Sequence, residues 1–165
     1  MSDLASHLVT RYERLGETND LDEAIRLAGE LLPLRPPGHP EQSMSLNNLS
    51  IYLSTRYRQS RCFGDLSEAL DLSQNALALC PPDSPHRSTV LNTVATQLFV
   101  RFGHMQDIGD LNEVIELSRS ALALRPPGHP GRLVTLQMLV HYLSSRYEEL
   151  GNICDLDEVD KLRGV

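Results

Sequence analysis

The chain repeats itself every 45 residues. Asp20-Leu21-Asp22-Glu23-Ala24-Ile25 returns as Asp65-Leu66-Ser67-Glu68-Ala69-Leu70, as Asp110-Leu111-Asn112-Glu113-Val114-Ile115, and as Asp155-Leu156-Asp157-Glu158-Val159. The stretch Leu34-Arg35-Pro36-Pro37 returns as Leu124-Arg125-Pro126-Pro127, with Leu79-Cys80-Pro81-Pro82 between them. A fixed period of this length fits a stack of supersecondary units, none able to bury its apolar face alone. The core should then be a line of contacts between repeats. The 165 residues divide into repeats at about 1–37, 38–82, 83–127 and 128–165, the last incomplete, in one solenoid domain.

Each repeat reads as two helices. In the first, helix A, apolar positions recur as Leu4, Ala5, Leu8 and Tyr12, a spacing that lines one helical face. The same stripe returns as Leu49, Ser50, Leu53, Tyr57, as Val94, Ala95, Leu98, Phe102, and as Leu139, Val140, Leu143, Tyr147. The later copies add Leu46, Leu91 and Leu136 a turn earlier, so helix A runs to about 18–20 residues, roughly 30 Å. Pro40, Pro85 and Pro130 fall where a first helical turn tolerates proline, and Ser84 fits an N-cap. Gly16 and Gly151 suit the left-handed residue after the helix end.

Helix B opens on the recurring Asp with Glu three residues on, the pattern of a capping box. An Asp cap of this kind contributes roughly 1 kcal/mol. Ala24, Ala28, Ala69, Ala76 and Ala121 let neighbouring helices approach closely. The double proline ends helix B, because proline cannot donate and pushes the residue before it out of helical geometry. The loop Pro36-Pro37-Gly38-His39-Pro40 recurs identically as Pro126-Pro127-Gly128-His129-Pro130. Three prolines in five residues restrict the unfolded chain and so favour the turn.

The pattern of helix B, with Ala76-Leu77, Leu79 and Pro81, resembles the second helix of the tetratricopeptide repeat. Leu46, Leu49, Ser50 and Leu53 are similar to that family's first-helix core, with Leu46 where tryptophan is common. The likeness covers essentially the whole chain, but at 45 residues per repeat in place of 34. The longer form, with Leu-Asn-Asn-Leu, Thr-Arg-Tyr and Leu-Arg-Pro-Pro-Gly-His-Pro, looks like fungal arrays that often precede a caspase-like peptidase domain of the CHAT type. The resemblance implies an all-α, right-handed superhelix of antiparallel helix pairs, non-catalytic, whose first helices line a concave groove. Carried over to this chain, the groove positions are Asn47, Ile51 and Thr55, then Asn92, Thr96 and Phe99, then Gln137, His141 and Ser145. The family's lysine–asparagine clamp for a peptide carboxylate is unmatched, since Asn47, Asn92 and Gln137 stand at its first lysine.

Charge and motifs narrow the function. A net charge of −7 argues against a sequence-independent grip on nucleic acid or an anionic membrane. Cys62, Cys80 and Cys154 are odd in number and fall at unrelated repeat positions, the usage of a reduced, cytoplasmic protein. Cys80, between Leu79 and Pro81, suits a buried structural thiol. His39 and His129 have no metal-ligand neighbours in sequence and belong to loop packing or a helix start. No nucleotide, zinc-protease or nucleophile motif occurs, so no enzyme and no cofactor is expected. Arg11, Arg56, Arg101 and Arg146 recur before the helix A aromatic. They read as a ladder for an acidic ligand or as structural partners of the helix B acids, and recurrence in every copy favours the second. The expected function is a protein-interaction scaffold for a peptide or helix. The alternatives are the sensor part of a CHAT-type peptidase, or an array that self-associates through its uncapped C-terminal end.

Overall fold

The structure, a computed structural model, describes residues 2–36 and 38–163. Among these the regular structure is all helix, with no strand. The helices are α1 (Ser2–Leu15), α2 (Thr18–Leu31), α3 (Gln42–Ser60), α4 (Phe63–Leu79), α5 (Arg87–Met105), α6 (Ile108–Ala123), α7 (Arg132–Leu150) and α8 (Ile153–Arg163), with a 3₁₀ turn at Leu32–Leu34. Odd helices are copies of helix A and even helices copies of helix B. The contacts group into two compact units, one up to Ser84 and one from Pro85, each holding two helix pairs.

In the first unit Ala5 and Val9 of α1, Leu21, Ala24, Leu27 and Ala28 of α2, and Leu49, Tyr52 and Leu53 of α3 close one apolar core, with Ala69 of α4. In the second, Val90, Leu91, Val94, Ala95 and Leu98 of α5, Leu111, Val114 and Ile115 of α6, and Leu139 and Leu143 of α7 are buried. The alanines expected between helices are buried throughout. The aromatic stripe holds in its middle, where Tyr57 and Phe102 are buried, while Tyr12 is half-buried and Tyr147 exposed. Cys80 is buried and Cys62 and Cys154 are exposed. No helix among the described residues is long and apolar enough to cross a membrane.

The recurring Asp does not cap helix B. Every even helix begins two residues earlier, at Thr18, Phe63, Ile108 and Ile153, so the Asp sits in the third helical position. Its carboxylate faces the recurring Arg of the preceding helix A nine residues back, in all four copies. A carboxylate that can accept two charge-assisted bonds from a guanidinium prefers them to one neutral backbone bond. The Glu three residues on does not reach back either: Glu23 pairs with Arg26, and Glu158 with Arg119 of α6. Side-chain caps come instead from Asp107, whose Oδ1 accepts from Gly109 N–H at 2.8 Å, and from Asn152, which accepts from Cys154 N–H at 3.2 Å.

Pro40, Pro85 and Pro130 likewise stand two residues before their helices, and His86 rather than Ser84 precedes α5. The loop makes its own start signal. His39 N–H donates to the Pro36 carbonyl (2.9 Å), and His39 Nδ1 then accepts from Glu41 N–H (3.1 Å). His129 repeats this with Pro126 and Gly131 (3.0 Å each). Gly38 and Gly128 take φ of 92° and 88° to allow that turn. Helix A ends on a left-handed residue in every copy: Gly16 and Gly151 as expected, but Arg61 and Gln106 in the two middle copies. Helix α2 is shorter than α4, 14 residues against 17, because Pro33 stands where the later copies have alanine.

Candidate interaction surface

The Arg–Asp pairs are the most regular polar feature of the chain. Arg56 meets Asp65 through Nε–Oδ2 (2.9 Å) and Nη2–Oδ1 (2.8 Å), and Arg101 and Arg146 meet Asp110 and Asp155 in the same fork. Arg56 also reaches Asp22 of α2 (3.1 Å), and Arg146 reaches Asn112 of α6 (2.8 Å), which ties α3 to α2 in the first unit and α7 to α6 in the second. Bonding to its Asp raises the pKa of each of these guanidinium groups further, and the Arg11 guanidinium holds the Asp20 carboxyl below the usual carboxylate range. With their forks occupied, these arginines form structural clamps within the repeats.

The nine candidate groove residues do not share one environment. Asn47 is fully buried with neither amide atom hydrogen-bonded, and Thr55 is buried, donating to the Ile51 carbonyl (2.9 Å). Ile51 is half-buried against the core of the first unit. On α5, Asn92 spends its Nδ2 on the Thr135 hydroxyl of α7 (3.0 Å), and Thr96 is exposed. Phe99 is half-buried. On α7, Gln137 and His141 are exposed and Ser145 is half-buried.

The second unit brings several of these together. The Phe99 ring meets His141 edge-on at 5.0 Å and Tyr142 at 4.8 Å, geometries that aromatic pairs favour. Burial pushes the Tyr142 phenol up, against a smaller opposing effect from its hydrogen bond to Thr96. The result is an aromatic corner beside the Thr96 hydroxyl in which His141 is exposed, Phe99 half-buried and Tyr142 buried beneath them. Tyr142 was not among the residues expected from sequence. The same repeat position is Tyr52 two copies earlier and Gln97 one copy earlier, so the aromatic recurs in alternate copies. No group of three or more His, Cys, Asp or Glu among the described residues could hold a metal ion.

No protein-family model matches the chain, and no curated protein matches it. Solved structures do. The crystal structure of nearly identical TPR-like repeats from a Podosopora anserina kinesin light chain-like protein superposes with a TM-score of 0.70 at 19% identity, over 99% of this chain and 76% of that one. A single-substitution variant of the same protein gives the same figures. At this identity the likeness is one of fold: the chain is an all-α array of TPR-like helix pairs.

Proposed function

We propose that the chain is a protein-interaction scaffold that takes a peptide or helix against the helix A face of its second unit. The observation that carries this is the half-open aromatic pair of Phe99 and His141, backed by buried Tyr142 and flanked by Thr96 and, on α7, by exposed Gln137. Aromatic anchors ringed by polar groups are what binding hot spots are made of. Asn47 and Thr55 serve packing in this reading, and the bound segment meets Thr96, Phe99, Gln137 and His141. Capture from a native extract tests it. Phe99→Ala with His141→Ala removes the anchors, a loss of about 2 kcal/mol or roughly thirtyfold in affinity for a hot spot. A partner retained at full strength by a folded double variant refutes the site.

A second reading is self-association at the end of the last repeat. Tyr147 and Leu156 are 37% and 42% exposed, whereas Phe102 and Leu111 one repeat earlier are 5% and 0%. A second copy of the chain could cover that face. A monomer mass by light scattering that does not rise with concentration sinks this reading. The CHAT-type sensor reading is supported only by the Leu-Arg-Pro-Pro-Gly-His-Pro resemblance; a His and Cys dyad encoded in frame beyond residue 165 is its test.

A further inference from the structure

Arg125 is a buried cation without an acid. It is 7% exposed, and no ion pair reaches it among the described residues. Its Nε donates to the Ser88 hydroxyl (3.1 Å), and its Nη1 donates to the Gly131 carbonyl (3.0 Å) and the Thr135 hydroxyl (2.5 Å). Nη2 has no partner and is not among the nitrogens sealed from solvent. Burial lowers the pKa of the group, with no charged neighbour acting on it. A desolvated guanidinium held only by neutral acceptors is costly unless a counter-charge is supplied.

The first unit shows what is missing. Arg35 stands at the same place ninety residues earlier, bonded to Ser45 where Arg125 meets Thr135. Its Nη2 is occupied by the Glu41 carboxylate at 2.7 Å, and Glu41 is 63% exposed, so this edge of the fork looks outward. The residue ninety positions after Glu41 is Gly131. The fork is therefore built twice and the carboxylate only once. The middle copy has Cys80 and no fork at all. Arg132, whose Nη1 donates to the Arg125 carbonyl (2.5 Å), adds a second positive charge.

We infer that Arg125 receives a carboxylate carried by a bound acidic peptide, which supplies in trans what Glu41 supplies within the chain. This site lies at the α6–α7 loop and does not depend on the aromatic corner. It is tested on the full chain with ¹⁵N-labelled arginine, following the Arg125 Nε–Hε resonance during titration with N-acetylglutamate amide. N-acetylglutamine amide is the neutral control, and inorganic phosphate is a separate arm. The expected result is a saturable shift with the glutamate probe and none with the glutamine probe. Gly131→Glu should carry the shifted resonance from the start and lose the response, while Gly131→Gln and His141→Ala keep it. An ideal Cβ at Gly131 lies 3.0 Å from the Arg125 guanidinium, which must give by a few tenths of an ångström in both substitutions, so Gly131→Gln controls for that shift. No shift with the glutamate probe, an undiminished response in Gly131→Glu, or a response to phosphate alone overturns the proposal.

Discussion

Asp155→Asn separates an ion pair from a helix cap. As an N-cap, Asp155 could become Asn at almost no cost, because the two residues cap equally well. In the structure it is an ion-pair partner instead. Both its oxygens accept from Arg146, Nε at 2.9 Å and Nη2 at 2.6 Å, and the two side chains are only 2% and 14% exposed. Asparagine keeps one acceptor, turns an amide N–H toward the guanidinium, and leaves a largely buried cation without its counter-charge. Removing one partner of a buried pair costs about 3–5 kcal/mol, and Arg146 keeps a bond to Asn112, so about 3 kcal/mol is expected. Urea unfolding of the full chain, with hydrogen exchange in α8, measures it. Arg146→Ala should cost a similar amount, and the double variant should fall well short of the sum. At Asp65, whose partner Arg56 is 34% exposed, solvent screening reduces the cost to about 1 kcal/mol. An Asp155→Asn variant as stable as the parent would refute the clamp.

Three further outcomes follow from the same geometry. Arg61 sits at φ 58° after α3, where the first and last copies use glycine, so Arg61→Gly should stabilise the chain by about 1 kcal/mol in thermal melts. The Asp20 carboxyl is held below its unfolded value by Arg11, so its stabilisation is full above about pH 4 and is lost as pH falls through the lower folded value; Asp20→Asn should flatten the acid limb of a plot of melting temperature against pH. His129→Ala removes the acceptor for Gly131 N–H and should cost about 1 kcal/mol, while His39→Ala does the same at the start of α3.

Period and periodicity made the helix pairs legible. The small residues of helix B are buried where expected, whereas the apolar stripe holds only in part, with Leu4 and Tyr147 exposed, and the double-proline stop fails in the first copy, where Pro33 ends α2 early. The helix starts differ from the sequence expectation because Asp followed by Glu fits a capping box in one dimension, whereas the recurring Arg competes for the same carboxylate in three. The left-handed Arg61 and Gln106 were hidden because glycine occupies that position only in the outer copies. Groove positions were carried over by register alone, and register cannot say that Asn47 is sealed or that Asn92 is spent on Thr135. Tyr142 and Arg125 are set apart only by their neighbouring copy, which carries Gln97 and Cys80 at the same positions.

The Arg–Asp clamp always spans nine residues, inside a single helical hairpin. The two-bond ion pair of each repeat thus joins its two helices over a short stretch of chain, and closing so short a loop takes tens of nanoseconds. Every hairpin can therefore serve as a nucleus, with the apolar seam to the other hairpin of its unit zipping afterwards. Lengthening such an array adds nuclei without raising contact order, so its folding rate should depend little on how many repeats are joined.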